Sequence, residues 1–273
     1  MSSSTRVAAV IGDPVDHSLS PVMFNAAFTA AGLDWVYAAL RVAAGSAAEA
    51  VAAMETLNLA GLSVTMPHKQ GVAAAVHRLS PTAAALGAVN CVYREGRDLV
   101  GENTDGEGFV RALTTQLDFD ARNKVCAVLG AGGAARAVVA ALAGAGATRI
   151  LVVGRTSAKA EAAARIAGGI AVAGSQELVA DADLIVNATP VGMDGNTTPL
   201  DPALVSSRHH VADLIYRPEQ TPLLRSASAA GANVMNGLEM LVQQGAIQFE
   251  LWTGLSAPVD VMRAAAENEL ATG

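Results

Sequence analysis

Short apolar runs alternate with longer alanine-rich segments along almost the whole chain, and the two kinds of segment predict different elements. Runs over 7–11, 35–41 and 61–65 read as strands, while the segments over 21–31 and 46–58 read as helices. Proline at position 21 suits the first turn of a helix, where its missing N–H costs no bond. A helix from Asp105 towards Leu117 and a polar link over 118–123 follow. A fresh series of strands then begins, at 124–129, 149–153, 184–187, 210–214 and 233–235. Two helices, over 238–252 and 259–270, close the chain with no strand between them. This alternation predicts an α/β fold with parallel sheets covered by helices on both faces. The change of organisation near Asp105 and the terminal helical pair predict two domains. One covers 1–105 and is completed by 238–273; the other is a doubly wound unit over 106–237.

The length of 273 residues suits two modest domains. With 25 acidic against 18 basic residues and a formal net charge of −7, the chain lacks the clustered cations that hold a phosphate backbone, so nucleic acid is not an expected partner. Although 52% of residues are hydrophobic, they are scattered alanines and valines, with no run long enough to cross a bilayer. No membrane association is expected. The first residues, Met1 to Thr5, carry no basic flank and no apolar core of a secretory signal, so a cytoplasmic location is expected. Cys91 and Cys126 have neither metal nor redox spacing, and Cys126 sits inside an apolar strand as a packed, reduced thiol. No metal site is expected.

The most specific local pattern runs from Val125 through a glycine turn, Gly130, Ala131, Gly132, Gly133 and Ala134, into helical residues and a second strand ending at Val153. Strand, glycine turn, helix and strand in this order form a dinucleotide unit. Gly130 permits the tight turn, Gly132 lets a pyrophosphate approach the backbone, and Ala135 is the small residue where helix meets strand. The helix start then offers N–H groups to phosphate. An NAD site would place Asp or Glu at the end of the second strand; this chain reads Gly154, Arg155, Thr156, with Lys159 one turn on. A guanidinium there matches a 2′-phosphate, so the expected cofactor is NADP(H).

The first domain is then expected to bring a polar substrate and a proton carrier. Ser18 and Ser20 have alternate spacing, so in an extended segment both hydroxyls face one carboxylate, whereas read alone Ser20 before Pro21 is a helix N-cap. Lys69 follows a strand's C-terminal end, beside Val64 and Met66, where open α/β sheets place ligands. Asp105, in a glycine-flanked turn, is the carboxylate available to orient such an amine.

These blocks, together with Gly87 to Asn90, Asn103 to Gly106, Asn187 to Thr189, Asp213 to Pro218 and Gly237 to Gln244, resemble the shikimate dehydrogenase family nearly end to end. The resemblance implies an N-terminal α/β substrate domain joined to a Rossmann NADP-binding domain, with the C-terminal helices returning to the first. It implies reduction of 3-dehydroshikimate to shikimate by NADPH, in the biosynthesis of chorismate and aromatic amino acids. By the same resemblance Lys69 and Asp105 are the catalytic pair; Ser18, Ser20, Ser63, Thr65, Asn90, Tyr216 and Gln244 hold the substrate; Thr189, Leu214 and Gly237 join the cofactor residues. Ser63 and Gly154 each stand where asparagine is usual, and His68, beside Lys69, reads as an exposed turn residue. A quinate or aminoshikimate dehydrogenase of the same family, and a catalytically silent NADPH sensor, are the alternative readings. A homodimer is the expected assembly.

Overall fold

A computed structural model describes residues 2–272, which divide into two compact units. The first runs to Thr104 and resumes at Val242; the second spans Asp105–Leu241. The second crossing lies inside a continuous helix, where no change of pattern can mark it.

The first unit contains β1 (Arg6–Gly12), α1 (Ser20–Ala30), β2 (Trp35–Arg41), α2 (Ala47–Thr56), β3 (Gly61–Val64), α3 (Lys69–Ala73), β4 (Arg78–Leu79), α4 (Pro81–Leu86), β5 (Cys91–Glu95) and β6 (Asp98–Glu102). Its sheet has the order β2-β1-β3-β5-β6-β4. The all-parallel expectation is corrected here: β1 pairs in parallel with β2 and β3, but β5 runs antiparallel to both β3 and β6. The reason is local. Only Gly96 and Arg97 separate β5 from β6, with Gly96 at a φ of 63°, and so short a link can only reverse the chain. Ile11, Met54, Leu62, Val72 and Leu99 fill one face of the sheet. On the other, Phe24 of α1 stacks on Tyr37 at 4.5 Å between centroids and packs against Trp252 at 5.0 Å.

The second unit contains α5 (Asp105–Leu117), β7 (Val125–Leu129), α6 (Gly133–Gly144), β8 (Arg149–Val153), α7 (Ser157–Ala164), β9 (Ala171–Ala173), β10 (Leu184–Asn187), β11 (His210–Asp213), α8 (Pro222–Ala229) and β12 (Asn233–Met235). Its six strands are all parallel in the order β12-β11-β10-β7-β8-β9. The doubly wound expectation therefore holds, with the reversal of strand order between β7 and β10. Such a switch point opens a crevice at the C-terminal ends of the strands. The two apolar clusters of this unit contain Val128, Val138, Leu142 and Ile150, and Leu129, Leu151, Ile185 and Leu224. The chain ends in α9 (Leu238–Thr253) and α10 (Val259–Thr272), with α10 packed along α1 as the predicted return of the terminal helices requires.

Among the described residues no helix is long and apolar enough to cross a membrane.

Candidate active site

In the first unit the loop after β1 delivers Ser18 and Ser20, but not as an extended strand. Leu19 has helical angles and α1 begins at Ser20, without a side-chain cap. Both sequence readings are thereby corrected: the Ser20 N–H donates to Ser18 Oγ at 3.3 Å. At the end of β3, Thr65 N–H donates to Ile11 at 2.9 Å and Asp13 N–H donates to Met66 at 3.0 Å, fixing the loop against β1. His68 is 2% exposed, and its Nε2–H donates to the Val42 carbonyl at 2.8 Å. The exposed-turn reading of His68 is corrected: its ring is an anchor for this loop. Lys69 opens α3 half-buried, and its carbonyl accepts from Val89 N–H at 2.9 Å. Of its apolar neighbours, Val64 is buried and Met66 is 74% exposed.

The structure brings Asn90, Ser63 and Gln244 into one buried polar cluster with three residues that the sequence did not single out: Tyr37, Thr104 and Gln248. Thr104 N–H donates to Asn90 Oδ1 at 2.8 Å, and Asn90 Nδ2 donates to Thr104 Oγ1 at 3.0 Å. Gln248 Nε2 donates to Gln244 Oε1 at 2.7 Å. The Tyr37 hydroxyl donates to Ser63 Oγ at 2.6 Å, and Ser63 Oγ in turn donates to Gln248 Oε1. Burial pushes the Tyr37 phenol well above its ordinary value, so it remains a neutral donor. Gln248 could have been found by its spacing, four residues beyond Gln244 on one face of α9. Tyr37 could not, because a tyrosine in an apolar strand is ordinary core.

In the second unit the candidates gather at the C-terminal ends of the strands. Gly130 has a φ of 117°, and a Cβ there would lie 2.9 Å from the Ala188 carbonyl oxygen, so only glycine makes this turn. Gly132 and Gly133 are exposed, with nothing within 4 Å of where a Cβ would stand. They leave open space at the start of α6, whose first turn holds no carboxylate, between the half-buried Ala131 and Ala134. That is the cradle a pyrophosphate needs. Past β8, Gly154 is half-buried, while Arg155, Thr156 and Lys159 are exposed. Thr156 precedes α7 in extended backbone without capping it. Turn, helix start and guanidinium therefore fit NADP(H).

At the switch point, Thr189 Oγ1 donates to Asn187 Oδ1 at 2.7 Å, so its hydroxyl hydrogen shapes the loop. Leu214 N–H donates to Asn187 at 3.0 Å, and Gly237 N–H donates to Ile215 at 3.0 Å. Tyr216 is half-buried, and desolvation raises its pKa. Asp105, 8% exposed, opens α5.

Comparison with known proteins matches residues 10–92 to the shikimate dehydrogenase substrate binding domain, residues 113–192 to the shikimate / quinate 5-dehydrogenase family and residues 237–267 to the shikimate 5'-dehydrogenase C-terminal domain. A shikimate dehydrogenase (NADP(+)) of Desulforamulus reducens is 43% identical over 288 residues, covering 100% of this chain and 98% of that protein. The chain belongs to the shikimate dehydrogenase family. Among solved structures of this family, a shikimate dehydrogenase in complex with NADP+ superposes with a TM-score of 0.93 at 34% identity, covering 99% of this chain and 97% of that one. The shikimate 5-dehydrogenase of Thermus thermophilus, in complex with NADP(H) and shikimate, does so at 0.90 and 39% identity, covering 96% and 99%.

Proposed function

We propose that this protein interconverts 3-dehydroshikimate and shikimate using NADP(H), as a step of chorismate and aromatic amino acid biosynthesis. The observation that carries this reading is the full-length likeness to NADP(+)-dependent shikimate dehydrogenases, one of them solved with both ligands bound. The glycine cradle before α6 receives the pyrophosphate, and Arg155, with Thr156 and Lys159, receives the 2′-phosphate. Leu214 and Gly237 flank the nicotinamide, which when bound supplies the hydride.

The remaining chemistry belongs to the chain. Ser18, Ser20, Thr65, Asn90 and Gln244, with Tyr216, hold the carboxylate and hydroxyls of the substrate. Lys69 gives a proton to the oxygen of the developing alkoxide and takes it back in the reverse direction. Asp105, the residue after Thr104, orients the amine or grips a substrate hydroxyl. A homodimer in the cytoplasm completes the proposal; the two buried, unbridged thiols support a reducing compartment.

The test is a panel of shikimate, quinate and aminoshikimate against NADP+ and NAD+, followed by NADPH absorbance. Preferred turnover of shikimate with NADP+ is expected. Preference for quinate or aminoshikimate would assign the sibling activity, and NADPH binding without turnover of any of the three would make the protein a sensor.

A further inference from the structure

The C-terminal ends of β1, β2 and β3 are closed into a circuit by three hydrogen bonds. Val42 N–H, just past β2, donates to the Gly12 carbonyl at 3.2 Å. Asp13 N–H donates to the Met66 carbonyl at 3.0 Å, and His68 returns to β2 by donating from Nε2 to the Val42 carbonyl at 2.8 Å. Val42 therefore serves both sides. Its N–H holds the loop that leads to Ser18 and Ser20, and its carbonyl holds the turn that leads into Lys69.

The first two bonds join backbone to backbone, so they do not depend on which side chains stand there. The third depends on one side chain. Pro67 has no N–H to offer, and the backbone of His68 is already engaged: its N–H donates to Thr65 at 3.0 Å and its carbonyl accepts from Val72 N–H at 2.9 Å. Only the imidazole is left to reach Val42. Because a carbonyl can only accept, the hydrogen is on Nε2, and Nδ1 of the neutral ring is an acceptor. With His68 only 2% exposed, water does not replace this bond while the ring keeps its place. The Lys69 carbonyl is held separately by Val89 N–H at 2.9 Å, which ties the lysine towards β5 and leaves its placement against the β1 loop to the circuit.

We propose that His68 is a positioning residue: through Nε2–H it fixes the turn bearing Lys69 against the loop bearing Ser18 and Ser20, and so sets where the amine stands relative to the substrate. The proposal deepens the reading of Lys69 as the proton carrier and rests on it for its kinetic consequence.

Reach separates the replacements that test it. Glutamine places its side-chain nitrogen as many bonds from Cβ as histidine Nε2, asparagine places it one bond short, and phenylalanine fills the space with no donor. In steady-state oxidation of shikimate, His68→Phe and His68→Asn should lower kcat on the order of tenfold, the loss of about one hydrogen bond, with the KM for NADP+ unchanged. His68→Gln should recover kcat to within about threefold of wild type. All rates are read well below each variant's melting temperature, and if His68→Phe does not fold, the comparison of His68→Gln with His68→Asn decides. Wild-type kcat in His68→Phe or His68→Asn, or a folded His68→Gln no better than His68→Asn, overturns the proposal.

A second measurement needs no turnover. The chain holds three lysines, Lys69, Lys124 and Lys159, and Lys124 lies in the other unit, where it serves as an internal standard. Under limiting formaldehyde and borohydride, the ratio of Lys69 to Lys124 methylation, read by peptide mass spectrometry, should rise about threefold or more in His68→Asn and His68→Phe as the turn loosens, and return in His68→Gln. One ratio shared by wild type and all three variants overturns the proposal. Failure of the wild type to oxidise shikimate would sink the functional reading, and the methylation ratio would still decide the positioning.

Discussion

Asn187 Nδ2 donates to Asp213 Oδ1 at 2.9 Å, tying together the ends of two adjacent parallel strands at the switch point of the second unit. The same carboxylate accepts from Ile215 N–H at 3.1 Å and from Thr221 Oγ1 at 2.7 Å, and Thr221 in turn caps α8. One fully buried acid thus sets the turn after β11 and the start of the next helix.

Asp213→Asn is expected to lower stability by about 1–3 kcal/mol, because a new N–H2 meets donors where the carboxylate accepted. Its pH dependence has a definite sign. Desolvation is the largest influence on Asp213 and raises its folded pKa above 3.8, so the folded state holds the proton more tightly than the unfolded state. Stability therefore falls as pH rises from the unfolded pKa through the raised folded one. The variant lacks this fall, so the gap in melting temperature between wild type and Asp213→Asn should be widest at acidic pH and narrow as pH rises. A gap that widens with pH would contradict it.

At Gly237 a Cβ would stand inside the van der Waals envelope of the Leu214 carbonyl oxygen, which is backbone and cannot swing aside. Gly237→Ala should cost about 2–4 kcal/mol by forcing β12 away from the turn after β11. Thermal melting reads the loss, and calorimetric titration should show weakened NADP+ binding. An alanine variant as stable as wild type would show that the turn yields.

Arg155 is exposed just past β8, with no carboxylate in the position that would hold a ribose hydroxyl. Arg155→Asp should weaken NADPH binding on the order of 30-fold or more, while NADH binding improves or holds. Equal Michaelis constants for the two cofactors in wild type and variant would remove the 2′-phosphate from this side chain.

Lys69→Ala should lower kcat by about 10² to 10⁴ while the KM for NADP+ survives, the pattern of a lost proton carrier. Near-normal turnover would take Lys69 out of the chemistry. The companion Asp105→Asn separates two functions: a rise in the KM for shikimate alone marks a substrate grip, and a fall in kcat marks an orienting carboxylate.

Both cysteines are fully buried, and desolvation pushes Cys126 up to about 12 and Cys91 well above its ordinary value. Neither thiol should react with a disulfide reagent at neutral pH in the folded protein, and both should react in denaturant. Reaction of a thiol in native buffer would reveal local opening of β5 or β7.

The second unit was legible almost residue by residue, because its signals are short-range. Gly130 announces a turn by its own conformational freedom, and the missing acid at the end of β8 points to NADP(H). The first unit was less so. The β5–β6 hairpin escaped notice because Arg94, Glu95, Arg97 and Asp98 break the apolar run that marks a strand, and their pairing comes from the register across Gly96. His68 looked like a turn residue because its partner, Val42, is 26 positions away.

The sequence by itself determined the alternation of strands and helices, the phosphate turn and the cofactor preference. These depend on residues within one or two turns of each other. Only the tertiary structure decided which way the side chains around Gln244 point, since Ser63 meets Gln248 across 185 positions. An amide or a hydroxyl carries no polarity of its own choosing; it takes the one its neighbours impose, and those neighbours exist only once the chain has folded.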